Sequence, residues 1–78
     1  MLDAAELAKR IKNVLGQDAD VDVRDTTGTG DHFEARVAAT QFAGRSMVEQ
    51  HQMVYAAFRD ELATGELHAL ALKTEVKR

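Results

Sequence analysis

The spacing between apolar residues changes three times along this chain, and each change marks a new kind of element. Leu7, Ile11, Val14 and Leu15 recur at helical intervals and make one stripe. Asp3 and Glu6 stand ahead of it as a capping box, and Gly16 follows where a left-handed residue stops a helix. Lys9, Arg10 and Lys12 fall on the wet side of that helix. The spacing then drops to two. Val21 and Val23 alternate with Asp20, Asp22 and Arg24. After the interruption "TTGTGD", Phe33, Ala35, Val37 and Ala39 alternate with Glu34, Arg36 and Ala38. Two half-buried strands joined by a glycine-bearing loop pair antiparallel.

Helical spacing returns after the turn "QFAGRS". Ser46 and Glu49 form a second capping box. One long helix is expected from there to Gly65. Met47, His51, Val54, Phe58 and Leu62 line its inner face, with Val48 and Tyr55 beside them. "LHALALK" closes the pattern as a third strand with Leu70 and Leu72 inward. Residues 73–78 are expected as a loose charged tail.

The order is α-β-β-α-β, an α/β (α+β) arrangement in a single domain, 1–78. Burying both helical stripes requires a three-stranded mixed sheet with the helices packed on one face. The helical crossover from the second strand to the third makes those two strands parallel neighbours. Their starting ends then share one edge of the sheet, where His32 and His68 lie. Strands sit about 4.8 Å apart, so the imidazoles come within reach of each other. Parity opposes this. His32 alternates against inward Phe33, whereas His68 is in phase with Leu70 and Leu72, so the rings start on different faces.

Composition removes several classes. The chain has 78 residues and no cysteine, so disulfides and any argument for an oxidising compartment fall away. No apolar run approaches the roughly 18 residues of a membrane span, and the start "MLDAAE" lacks the basic and apolar blocks of a signal peptide. A soluble cytoplasmic protein with no membrane role is expected. A formal net charge of −3 weakens simple nucleic-acid binding. Enzymatic function is not expected. There is no cysteine nucleophile, and Asp60 and Glu61 are helix neighbours that point in different directions. Asp20, Asp22 and Asp25 read as edge-strand charges that discourage unwanted pairing, and Met47 and Met53 as packing residues.

Three blocks carry a resemblance. "FAGRSMVEQHQMVYAAFRDEL" resembles the BolA family pattern F-x-G-x-S-x-x-x-x-H-x-x-V-x-x-x-x-x-x-E at Phe42, Gly44, Ser46, His51, Val54 and Glu61. "HALALKT" resembles the closing strand of that family, and "GDHFEARV" the start of its second strand. The resemblance implies a fold related to the class II KH domain. It also implies an adaptor that pairs with a monothiol glutaredoxin in iron–sulfur trafficking and iron regulation, sharing a 2Fe–2S cluster. Its metal ligands would be His68 and His32. The remaining ligands would be the glutaredoxin cysteine and the thiol of a bound glutathione, so no cofactor is expected in the isolated chain. Imidazole is a competent iron ligand, as in Rieske centres, and two histidines alone do not close a structural zinc site. His51, on the apolar stripe, reads as a structural residue bonded to nearby backbone.

The alternative the resemblance carries is a DNA-binding transcriptional regulator of morphology and stress genes. "AGRS" leads into a helix N-terminus whose free N–H groups suit one phosphate, with Arg45 and Ser46 there and Lys73, Lys77 and Arg78 adding contacts. No G-x-x-G loop of the KH kind joins two helical patterns. Alone, the chain is expected as a monomer or weak homodimer.

Overall fold

A computed structural model describes residues 2–78. Helix α1 spans Ala4–Leu15. Strands β1 (Asp20–Asp25) and β2 (His32–Ala39) follow, then a 3₁₀ turn at Thr40–Phe42. Helix α2 (Met47–Tyr55) leads through a second 3₁₀ turn, Ala56–Phe58, into α3 (Arg59–Thr64), and β3 (Ala69–Val76) completes the fold. The sheet order is β1-β2-β3, with β1 and β2 antiparallel and β2 and β3 parallel. Phe33 pairs with Leu70 and His32 with Ala69, so the two parallel strands begin level with each other.

The α2 start carries the full expected capping box and the α1 start only half of one, with no return bond from Glu6 to the Asp3 N–H. The Asp3 carboxylate accepts from the Glu6 N–H at 2.8 Å. At α2, Glu49 N–H donates to the Ser46 hydroxyl at 3.2 Å, while Ser46 N–H donates to Glu49 Oε1 at 2.9 Å. Leu7, Ile11 and Leu15 of α1 join Val54 and Phe58 in one buried cluster with Phe33, Ala35, Val37 and Ala39 of β2 and Leu70 of β3. Alternation along β2 therefore delivers one apolar face to the helices.

Four expectations need correction. The long helix is broken at Ala56–Phe58. Arg10 reaches across from α1 and donates to the Ala57 carbonyl, which in a continuous α-helix would accept from the Glu61 N–H. The same guanidinium grips Glu61 through both nitrogens at 2.7 and 2.9 Å and lies 4.8 Å above the centre of the Phe58 ring. Arg10 is thus not a wet-face residue; it is the strap between α1 and the break. Next, the apolar stripes are narrower than their spacing implies: Val14 is 45% exposed, Met47 56% and Val48 66%. Third, the charged tail is largely sheet. β3 continues to Val76, Thr74 is buried, and Lys77 N–H donates to the Ala39 carbonyl at 3.1 Å. Pairing along the whole of β2 supplies the backbone partners that hold it. Finally, Asp25 does more than discourage edge pairing, because its carboxylate organises the loop described next.

Candidate metal-binding site

The site grows from the loop between β1 and β2. Asp25, the last residue of β1, accepts backbone N–H groups from Thr27 (3.2 Å), Gly28 (2.8 Å) and Gly30 (2.9 Å). Desolvation works to raise its pKa, but the N–H groups of Gly28, Thr27 and Gly30 outweigh it and hold the carboxyl below its ordinary value. Thr26 N–H donates to the His32 carbonyl at 3.0 Å and closes the loop at its base. Gly28 and Gly30 both take positive φ, near +76° and +78°, which only glycine adopts without strain.

Asp31 sits at the mouth of this loop and touches three elements. Its backbone carbonyl accepts from the N–H of His68 at 2.8 Å and of Ala69 at 3.2 Å, which pins the start of β3 against it. One carboxylate oxygen lies 2.9 Å from Nδ1 of His32, and the other 3.1 Å from Nδ1 of His68. The Thr29 hydroxyl also donates to it. That hydroxyl, the His32 contact and the nearby imidazoles hold the Asp31 carboxyl below its ordinary range, against partial burial. The His32 and His68 rings meet edge-on, with centroids 5.5 Å apart and planes at 86°. Both rings are about half exposed, with side-chain exposures of 42% and 56%.

The parity objection does not survive this geometry. His68 lies one residue ahead of Ala69, where the strand begins, and is outside the regular ladder. The pleat therefore does not dictate its direction, and the Asp31 carbonyl does. On its other side, Gly65 ends α3 in the left-handed region at φ +83°, and Leu67 N–H donates to the Glu61 carbonyl at 3.1 Å. That cap turns the chain into β3 and sets where His68 emerges.

Asp31, His32 and His68 form a cluster whose ligand-capable atoms lie within 4.8 Å of one another. The donor set is borderline-soft nitrogen plus one carboxylate, exposed at a rim, and suits a metal centre that brings further ligands of its own. A 2Fe–2S cluster fits these residues in that sense: two imidazoles can serve it and neither is locked in the core. Sequence reasoning found both histidines and missed Asp31. The acid was visible in "GDHF", but it reads as a turn residue until β3 is laid against it.

The other singled-out residues lie elsewhere. His51 is on α2 with Nε2 buried and lacking a partner among the described residues, which corrects the expected bond to backbone. Phe42 and Val54 are fully buried, and Glu61 is the partner of Arg10. Thr74 donates to the Met47 sulfur at 3.3 Å, which sets the α2 start beside the late half of β3. Arg45 and Ser46 stand at that helix start, whereas Lys73 alternates with buried Thr74 and faces the open side of the sheet beside Arg36, so these residues are not brought together. Arg45 lies 3.8 Å from Glu49, and Lys77 contacts the Asp18 carbonyl and lies 3.6 Å from Asp20.

A three-stranded mixed sheet covered by helices, with a histidine pair at the rim where its parallel strands begin, defines a small mixed α+β domain. The sequence profile of the BolA-like protein family matches residues 6–78, and this chain belongs to that family. Protein BOLA2 of Arabidopsis thaliana is 35% identical over 69 residues, which is 88% of this chain and 68% of that protein. A bolA protein homologue from Coxiella burnetii superposes with a TM-score of 0.72 at 31% identity, covering 95% of this chain and 90% of that one. A bol-like protein from Babesia bovis reaches a TM-score of 0.82 at 22% identity, over 97% and 86% of the two chains, a likeness of fold. Among the described residues no helix is long and apolar enough to cross a membrane.

Proposed function

We propose that this chain is a cytoplasmic adaptor that works by binding rather than catalysis, pairing with a monothiol glutaredoxin and supplying His68 and His32 to a shared 2Fe–2S cluster. The observation that carries this reading is the meeting of two imidazoles from separate parts of the sequence, 5.5 Å apart and half exposed, at one rim. The cluster, when bound, supplies iron chemistry that the chain lacks. The chain's own residues present ring nitrogens, and the absence of cysteine leaves thiolate ligands to the partner and its glutathione. The test is co-purification with a monothiol glutaredoxin and glutathione, followed by the visible absorption and circular dichroism of the complex. His68→Ala and His32→Ala are expected to alter or abolish the spectrum of the mixed complex. A spectrum unchanged in both variants refutes the ligand assignment.

A DNA-binding regulator is the second reading. In its favour, the α2 start and the late half of β3 meet through Met47 and Thr74, which sets Arg45 and Ser46 beside that end of the strand, with Lys73 on the opposite face and Lys77 and Arg78 following. Against it, the Glu49 carboxylate already takes the Ser46 N–H that a phosphate would need. Fluorescence anisotropy over a range of salt decides between them. Saturable binding that falls steeply with salt supports DNA contact, and no saturable binding near physiological salt removes it.

A further inference from the structure

We infer that Asp31 is a positioning residue: its carboxylate holds His32 and His68 in the Nδ1–H form and so presents both Nε2 lone pairs outward. The inference rests on the adaptor reading for its metal, but not for its geometry. An ionised carboxylate only accepts hydrogen bonds. A 2.9 Å contact between Asp31 Oδ1 and Nδ1 of His32 therefore requires the proton on Nδ1. The second oxygen lies 3.1 Å from Nδ1 of His68 without the alignment of a hydrogen bond, yet a carboxylate that close repels a nitrogen lone pair and favours a proton on the same atom. Neutral histidine in water favours the opposite form, with the proton on Nε2, so the carboxylate works against a default.

One side chain thus acts on two rings at once, on His32 through a hydrogen bond and on His68 through its charge. It does so from a fixed base, because its backbone carbonyl is bonded to the N–H groups of His68 and Ala69, and its loop is held by Asp25. The edge-on packing of the rings then limits rotation of either one. Carboxylates bonded to the distal nitrogen of metal-ligating histidines fix ring orientation and raise ligand basicity, and losing them costs about 10- to 100-fold in metal affinity. The unusual feature here is economy of placement: both histidines share the same acid.

The free, ¹⁵N-labelled chain is the first test, using two-bond ¹⁵N–¹H correlations under conditions where each ring carries one proton. The wild-type chain is expected to show Nδ1–H tautomers at His32 and His68. In Asp31→Ala both rings revert mainly to Nε2–H, and in Asp31→Asn, whose amide oxygen still accepts from one ring, the reversion is partial. Slow amide exchange at Ala69, which bonds the Asp31 backbone and not its side chain, reports that the fold is intact in each variant. Wild-type rings in the Nε2–H form, or tautomers unmoved by Asp31→Ala, overturn the inference.

The second test uses the complex with glutaredoxin and glutathione under challenge by an iron chelator. Asp31→Ala is expected to lose the cluster about 10- to 100-fold more readily than wild type, and Asp31→Asn by less. Equal retention in a fold-intact Asp31→Ala overturns the metal part of the inference. A wild-type chain that assembles no cluster defeats the adaptor reading instead, and the tautomers still decide the role of Asp31.

Discussion

Asp25 and Asp31 hold the two ends of one loop by different means, one through backbone donors and the other through side chains. Replacing Asp25 with Ala removes the acceptor for Thr27, Gly28 and Gly30 together. Amide exchange at Gly28 and Gly30 is expected to accelerate in Asp25→Ala while Ala35 and Val37, inside β2, keep wild-type protection. Unchanged exchange at both glycines contradicts the assigned role. Gly65 is the other single position on which the site depends. An L-residue in the left-handed region costs about 1–2 kcal/mol, and Gly65 has φ +83°. A methyl there lies 3.9 Å from Cδ2 and Nε2 of His68, an ordinary contact, so backbone strain is the main cost. Gly65→Ala should lower the urea-derived stability by that amount, and Gly65→Asn by less, since Asn tolerates this region. The histidines were legible in the sequence because the element order places both at strand starts. Asp31 was not, because its partner His68 arrives from a strand far along the chain and no local pattern records the meeting.

Among the elements, periodicity located α1 and the three strands and placed α2 and α3 under a single helical stripe, and the caps at Asp3 and Ser46 were readable from residue type alone. The break between α2 and α3 was not readable. It depends on Arg10 taking the Ala57 carbonyl, and a helical stripe looks the same whether or not one of its carbonyls is borrowed. Arg10 is held in its charged form by Glu61 above all, against some desolvation. A lysine keeps the charge but lacks the planar fork that grips a carboxylate and a carbonyl together. Arg10→Lys is therefore expected to lower the urea midpoint, whereas Lys9→Arg on the same helix leaves it unchanged; equal midpoints for Arg10→Lys and wild type contradict the strap. The extension of β3 to Val76 was likewise hidden, because its charged residues alternate outward while Thr74 turns in. Tyr55 ties α2 to this strand through its hydroxyl, 2.8 Å from the Leu70 carbonyl. Tyr55→Phe is expected to cost about 1 kcal/mol in equilibrium unfolding, with the aromatic packing retained.

Across the whole molecule, four carboxyls that accept hydrogen bonds in the fold are all more acidic than usual. Glu61 is lowered chiefly by the Arg10 guanidinium, Glu49 by the Ser46 N–H and hydroxyl, Asp31 by the Thr29 hydroxyl and the His32 ring, and Asp25 by its three backbone donors despite desolvation. Unfolding removes these partners and returns each group to its ordinary value. Over the interval between the folded and unfolded values the unfolded chain binds more protons, so stability rises with pH there. Their contribution is complete above the ordinary carboxylate range and disappears as the pH falls through the lower folded values. Urea midpoints measured from about pH 7 down to about pH 3 should hold near neutrality and then fall once the pH passes below about 4. Replacing Glu61 and Asp25 together by Gln and Asn should flatten that fall, because amides do not titrate. The two sites lie on separate elements and share no bonding partner, so their effects should add. A wild-type profile with no acid decline, or a double variant with an undiminished one, would show that these carboxyls do not couple protonation to the fold.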